Sequence, residues 1–298
     1  MKIKKNNKSI GLLFQQALDR KLTSDISKLH RDSLRYAYNQ FMLFLGPEGR
    51  EMSIKKLKTS TIEEFLQRYN SSPTSYMNKR RELSSLFNGA TRLIDESLMT
   101  VKKTEVQKIK PTLHLAYEKD QLKPVLNFLK ARQPNLYRCC LMTYGCLLRP
   151  HEEIRLLTKK HFKINNTEIH LNGSENKSGK IRVVYVPDYV RHELEPVLDG
   201  IKRDDNIFSL INEPFNDDYF SKQWSREKKI LLSHGLIYPK QTLYSFRHTA
   251  AIDVFRRTKD VYMVQKMMGH SSVLITMKYL RSLGEFNMDE LKSAAPVL

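Results

Sequence analysis

Apolar residues recur every three to four positions through most of residues 1–100. From Ser24 onward Ile26, Leu29, Leu34, Ala37, Phe41, Phe44 and Leu45 fall on one helical stripe, which Gly46-Pro47 is expected to end. A shorter helix is expected from Ser60 or Thr61 to Tyr69. Ser71-Ser72-Pro73 then punctuates, and a long helix follows with Tyr76, Leu83, Phe87, Ala90 and Ile94 on one face. No strand-like alternation interrupts this pattern, so residues 1–100 read as an all-α bundle of four or five helices. Residues 101–112 are rich in lysine, poor in apolar residues and closed by Pro111, and read as a linker.

From residue 113 to 298 the pattern is mixed. Helices are expected over Asp120–Ala131 and Asn135–Tyr144, and from Pro150 to Leu157. Phe162–Ile164 and Thr167–Leu171 flank Asn165-Asn166, the signature of a hairpin. Ile181–Val186 is a β-branched run closed by Pro187. Helical spacing resumes over 188–198, 217–233, 245–257, 261–268 and 272–282. The expected second domain is therefore α+β, with helices around a small three-stranded antiparallel sheet.

Charge changes the picture. The 298 residues carry 51 Lys and Arg against 32 Asp and Glu, a net charge of +19, and both expected domains are basic. Such an excess points to a polyanionic partner, although charge alone is also compatible with simple solubility. In the first domain Lys28, Arg31, Arg35, Lys79, Arg80 and Arg81 lie off the apolar stripes. Each taken singly is a solvated charge; together they could line a phosphate-facing surface. Cys139, Cys140 and Cys146 crowd one apolar stretch without metal-ligand spacing, and read as core residues of a reducing compartment. The apolar run behind the basic N-terminus is too short for a signal peptide, and nothing approaches a membrane span. A cytoplasmic, DNA- or RNA-associated protein is the expectation.

Two apparent motifs are set aside. Gly173–Lys180 looks like a phosphate loop, but has five residues between its glycines, Ile181 where a magnesium-binding hydroxyl is needed, and a strand after it. The pairs Asp204-Asp205 and Asp217-Asp218 suggest a metal nuclease only superficially, because adjacent side chains diverge. The remaining candidates are basic or aromatic. Arg149 stands at a junction between helices with Glu152 three residues on, an arrangement suited to a phosphate and equally to a structural ion pair. Lys177 lies in the turn between the second and third strands. Arg247 and His248 follow Tyr244-Ser-Phe. His270 sits in a tight corner after Gly269, and Tyr279 lies about two turns into the next helix.

In order, Arg149, Lys177, Arg247, His270 and Tyr279 resemble the signature of the tyrosine site-specific recombinase, or phage integrase, family. The residues that carry the likeness are G-C-L-L-R-P-H-E (145–152), N-K-S-G-K-I-R (176–182), Y-S-F-R-H-T (244–249) and G-H-S-S-V-L-I-T-M-K-Y (269–279). The match covers roughly 112–283, and the helical first domain is similar to that family's core-binding domain. One position departs: Tyr244 stands where the family has histidine, and a phenol of pKa ~10 donates a hydrogen bond but is a poor base near neutrality.

The resemblance implies a function. Tyr279 would attack a DNA phosphodiester, leaving a 3′-phosphotyrosyl link and a free 5′-hydroxyl, with no metal, ATP or other cofactor. Arg149, Arg247 and His270 would stabilise the charge that develops on phosphorus-bound oxygens, and Lys177 would protonate the leaving oxygen. Glu152 would orient Arg149, and His248 would support the site structurally. The implied partner is double-stranded DNA held between the two domains, with four protomers acting on two duplexes. Two other readings share the scaffold: a non-catalytic DNA-binding protein and a nicking enzyme like the type IB topoisomerases.

Overall fold

The computed structural model describes residues 9–95, 98, 100–109, 114–176, 179–284 and 295–296. The chain forms two compact units, Met1–Lys110 and Pro111–Leu298. Unit one contains α1 (Ile10–Leu22), α2 (Lys28–Glu51), α3 (Thr59–Gln67) and α4 (Pro73–Arg92). Ser9, Ser27 and Ser72 cap α1, α2 and α4, each side chain accepting a backbone N–H of the first turn. Gly46-Pro47 interrupts α2 without ending it. Gly46 takes φ +64°, and the helix resumes to Glu51 because Pro47, lacking an N–H, suits the start of a new segment.

Four fully buried phenylalanines, Phe14, Phe41, Phe65 and Phe87, fill the bundle, with Phe41 edge-on to Phe65 at 5.1 Å between centroids. Leu29 departs from its expected stripe and is 80% exposed. The buried row of α2 is set by Leu34, Ala37 and Phe41, and five residues before Leu34 the helix has turned away. The expected linker is only partly one. Val101 and Thr104 are buried against the bundle, Arg80 Nε donates to Thr104 Oγ1 at 2.8 Å, and Gln107 Nε2 donates to Asn70 Oδ1 at 2.6 Å. The lysine content suggested a solvated tether, but lysines 102 and 103 are outward positions flanked by these two inward ones.

Unit two contains α5 (Leu122–Arg132), α6 (Pro134–Gly145), β1 (Phe162–Lys163), β2 (Glu168–Leu171), β3 (Arg182–Tyr185), α7 (Asp188–Gly200), α8 (Tyr219–Ser233), α9 (Ser245–Thr258), α10 (Val261–Met268) and α11 (Val273–Ser282). The strands form an antiparallel sheet in the order β1-β2-β3, with Ile169 opposite Phe162 on one side and Val184 on the other. Asn165 and Asn166 make the β1–β2 turn together with Ile164, all three at positive φ. Where a full helix is expected from Pro150, the chain makes turns and a short 3-10 segment, Ile154–Leu156.

The main core joins α6 to the sheet and to α7 and α8 through Leu136, Cys139, Cys140, Ile169, Val184, Leu194 and Trp224. A second cluster, including Leu147, Ala251, Val264, Met268 and Leu280, packs α9, α10 and α11 together. All three cysteines are buried, and burial pushes the Cys146 thiol up to about 12. No helix of the described residues is long and apolar enough to cross a membrane.

A close helix contact in the bundle yields a stability prediction. A Cβ placed on Gly89 of α4 would lie 2.9 Å from the Cβ of Ala17 on α1. Alanine is favoured over glycine within a helix by about 1 kcal/mol. Overpacking a close contact typically costs about 1–3 kcal/mol. Gly89→Ala is therefore expected to lower stability in a denaturant titration, and Ala17→Gly in the same chain to restore it. A more stable single variant would show that α1 and α4 yield easily.

Candidate active site

Five side chains of unit two converge from separate elements, and a buried carboxylate organises them. After α6 the chain turns through Leu147 at φ +49° and presents Arg149. Glu153, with no exposed side-chain surface, accepts the Arg149 backbone N–H at 2.8 Å and its Nη1 at 2.7 Å. Its Oε2 also accepts Arg182 Nη1 at 2.9 Å. One carboxylate thus holds two guanidiniums. Glu152, expected in this role, is exposed. The correction has a geometric cause: Glu153 and Ile154 both donate backbone N–H groups to the Arg149 carbonyl, and this turn brings the fourth residue inward instead of the third.

Arg182 was not among the expected site residues. It lies on β3, donates to the carbonyls of Leu147 at 3.1 Å and Met267 at 2.6 Å, and packs against Gly269. Gly269 ends α10 in the left-handed conformation at φ +66°, and a Cβ there would meet Arg182 Nε at 2.7 Å. The sequence did carry a signal. Arg182 occupies an inward position of the β3 alternation, with Val184 next on the same face, where a lone apolar residue is the norm.

Arg247, in the first turn of α9, has no exposed surface. Its Nη2 donates to the Met268 carbonyl at 2.7 Å, while Nε and Nη1 have no partner among the described residues. Burial pushes its pKa down to about 10; Tyr244 opposes the shift, and Arg149 and Arg182 add to it. A buried cation facing like charges, with two nitrogens unpartnered among the described residues, favours an anion beside it. His270 follows Gly269, and its Nδ1 is 2.9 Å from Thr276 Oγ1. Burial and the three arginines push its pKa down to about 4, so the ring is neutral at physiological pH. In the tautomer in which the Thr276 hydroxyl donates to Nδ1, the ring proton is on Nε2 and that nitrogen is a donor.

Tyr279 on α11 places its hydroxyl 2.6 Å from His248 Nδ1. Its ring lies 5.4 Å from that of His248 and 5.5 Å from that of His270. Burial raises the phenol pKa above its ordinary value, while Arg247 and Arg149 oppose the rise. His248 therefore contacts Tyr279 directly, beyond the purely structural role expected of it. Tyr244 is half-buried at the head of α9, edge-on to His248 at 5.2 Å. It is also near enough to Arg149, Arg247 and Tyr279 to affect their ionisation. Lys177 lies outside the described residues. A cavity of about 1050 Å³ lies elsewhere, lined by His114, Tyr144, Tyr189 and Asp253, and none of Arg149, Arg247, His270 or Tyr279 borders it.

The six basic residues singled out in unit one do not act alike. Arg80 is committed to Thr104 and the Lys102 carbonyl, and Lys79 pairs with Glu82 at 2.6 Å. Arg31 donates to the Ser24 carbonyl, Arg35 pairs with Asp32 at 3.2 Å, and Arg81 donates to Asn78. Lys28, Arg35 and Arg81 are exposed.

Arg149, Arg247, a neutral His270 and Tyr279 thus lie together in unit two, with two Arg247 nitrogens that have no hydrogen-bond partner among the described residues. Residues 116–285 match the model of the phage integrase family, and the chain belongs to that family of tyrosine site-specific recombinases and is a DNA recombinase. Tyrosine recombinase XerA of Saccharolobus solfataricus is 24% identical over 268 residues, covering 81% of this chain and 87% of its own. Two solved structures share the fold. The Tn1549 transposon integrase in complex with a circular intermediate DNA has 16% identity and a TM-score of 0.69, over 96% of this chain and 98% of that one. A lambda integrase tetramer bound to a Holliday junction has 15% identity and a TM-score of 0.70, over 91% and 80%.

Two predictions follow from the buried charges. Glu153→Gln removes the counter-charge of two enclosed guanidiniums and is expected to cost about 3–5 kcal/mol in denaturant unfolding. Exposed Glu152→Gln should change stability by less than about 0.5 kcal/mol. The reverse ranking would return the pairing role to Glu152.

His248 and His270 have pKa values held at about 3 and about 4, against an ordinary 6.5. Their folded-state values are depressed, so the unfolded chain binds more protons in acid. Stability is then unaffected above pH 6.5 and falls as pH drops toward 4, by up to about 1.4 kcal/mol per pH unit for each histidine. Chemical denaturation across this range should show the slope, and His248→Gln should reduce it by one proton's worth. An unchanged slope would mean that His248 titrates normally.

Proposed function

We propose that this recombinase breaks and rejoins double-stranded DNA at a specific site through a covalent 3′-phosphotyrosyl link to Tyr279, without metal or ATP. The observation that carries this reading is the convergence of Tyr279 with Arg149, Arg247 and His270 in a single chain, where Arg247 Nε and Nη1 have no hydrogen-bond partner among the described residues. Tyr279 supplies the nucleophilic oxygen. The two arginines and the His270 Nε2–H are donors for the charge that grows on the non-bridging oxygens, fixed in place before the reaction begins. Lys177, in the β2–β3 connection, protonates the departing 5′-oxygen. Because the link conserves the energy of the phosphodiester, the 5′-hydroxyl of another strand can reverse the step and complete an exchange.

Double-stranded DNA is the proposed partner. The net charge of +19 supports it, as do relatives solved with a circular intermediate DNA and with a Holliday junction. The second of those relatives is a tetramer, which supports four protomers acting on two duplexes here. Residues 1–100 act as the core-binding domain and 113–298 as the catalytic domain of a cytoplasmic enzyme. Exposed Lys28, Arg35 and Arg81 are the unit-one residues best placed to meet phosphates.

The test is covalent trapping on nicked duplexes cut from the DNA that flanks the gene. Tyr279→Phe should retain DNA affinity and form no adduct; undiminished adduct would remove Tyr279 from the role. Arg247→Ala should slow adduct formation by about 10²–10³, the usual loss for one fixed donor. A rate within about threefold of wild type would reduce Arg247 to a structural cation.

A further inference from the structure

The phenol at 244 leaves open which group receives the proton of Tyr279. We propose that it is His248: its Nδ1 takes the phenolic proton as Tyr279 Oη attacks phosphorus, making His248 a catalytic residue of this enzyme. The proposal rests on the phosphotyrosyl reading above and extends it to the proton.

Geometry comes first. The Nδ1–Oη separation is 2.6 Å, a short hydrogen bond, and among the described residues it is the one side-chain hydrogen bond that the Tyr279 hydroxyl makes. One partner must donate. Tyr279 is a protonated phenol and the imidazole is neutral; in the tautomer with the His248 proton on Nε2, the phenol donates to the Nδ1 lone pair. The alternatives near the hydroxyl fail on chemistry. Arg149 and Arg247 have protons to give and no lone pair to offer. His270 commits Nδ1 to Thr276. Tyr244 is a phenol and a weak acceptor.

The position is also built. Successive residues on α9 point about 100° apart, so Arg247 turns toward the end of α10 while His248 turns toward α11. His114 stacks on the His248 ring at 4.9 Å and 12°, and Tyr244 meets its edge at 5.2 Å. The His114 backbone N–H donates to the Ser282 carbonyl at 2.8 Å, at the end of the helix that carries Tyr279. The acceptor and the nucleophile are thus held by the same residue. Held at this angle, the lone pair needs no search to meet the hydroxyl.

The charged and titratable groups facing His248 are His114, Arg247, Tyr244 and Tyr279. Burial, His114 and Arg247 keep its pKa near 3 in the DNA-free protein, so the acceptor is unprotonated throughout the working range. A bound phosphate cancels the field of Arg247, and the charge gathering on phosphorus-bound oxygen favours an imidazolium beside it. The step balances. An Oη lone pair forms the O–P bond, and the Oη proton moves to Nδ1. The P–O5′ bond breaks with its electrons on O5′, which is protonated by Lys177. In the return step the imidazolium gives its proton back to the departing phenolate.

The experiment combines kinetics on the full chain with a measurement that needs no DNA. Nicked duplexes that the wild-type protein traps are the kinetic probe. His248→Gln is expected to slow single-turnover adduct formation by about 10²-fold or more, with DNA affinity unchanged. His248→Ala should regain rate on addition of imidazole, increasingly at higher pH as the added base loses its proton. Replacing the bridging 5′-oxygen by sulfur makes a leaving group that needs no acid, and should not rescue either variant. A rate within about threefold of wild type for His248→Gln, or full rescue by sulfur, would overturn the assignment. Independently, the 15N spectrum of wild-type protein should show His248 Nδ1 as an unprotonated acceptor; a proton on Nδ1 would also overturn it. Failure of the wild-type protein to form any adduct would instead sink the phosphotyrosyl reading, and the nitrogen spectrum would still decide the hydrogen bond.

Discussion

The Glu153 carboxylate, enclosed between Arg149 and Arg182, is the interaction on which unit two's chemistry depends. It neutralises part of a cluster of three guanidiniums that would otherwise repel one another in a low-dielectric interior. It fixes the turn after α6 by binding both the backbone and the side chain of Arg149. Through Arg182 it reaches the carbonyls of Leu147 and Met267, and so ties the end of α6 to β3 and to the end of α10. Arg247 then completes the arrangement from α9 by holding the next carbonyl, that of Met268. Three guanidiniums against one carboxylate leave the cluster strongly positive, and Arg247 Nε and Nη1 have no hydrogen-bond partner among the described residues.

A second constraint acts on the histidines. Burial keeps both His248 and His270 unprotonated, helped at His270 by all three arginines and at His248 by His114 and Arg247. Each presents Nδ1 to a hydroxyl, His270 to that of Thr276 and His248 to that of Tyr279. The two rings therefore differ in the acidity of the group they meet, an aliphatic alcohol in one case and a phenol in the other.

Much of this was legible in the sequence. The helices of both units, the three-stranded sheet and its Asn165-Asn166 turn follow from periodicity and turn chemistry, because these are local properties. The motif residues Arg149, Arg247, His270 and Tyr279 could be named because their order in the chain is distinctive. What escaped was set by geometry that spacing does not determine. Glu153 replaced Glu152 because a tight turn, instead of a full helical turn, follows Pro150. Arg182 and His114 act on partners far away in the chain, at Met267 and His248. Lysine density hid the two inward residues, Val101 and Thr104, that fasten the expected linker to the bundle.

Gly269 shows how closely shape and charge are joined in this protein. Its left-handed backbone would strain any side chain, and the space a methyl group needs is taken by Arg182. Displacing Arg182 would loosen its hold on Glu153, and the disturbance would arrive at Arg149 on the opposite side of the carboxylate. A substitution at this glycine is felt twice, as backbone strain and as a misplaced charge. Extra stability elsewhere in the fold compensates only the first. The turn is thus a point where robustness and geometry part company, and a protein stabilised enough to tolerate a bulkier residue there would fold well and still hold Arg149 out of place.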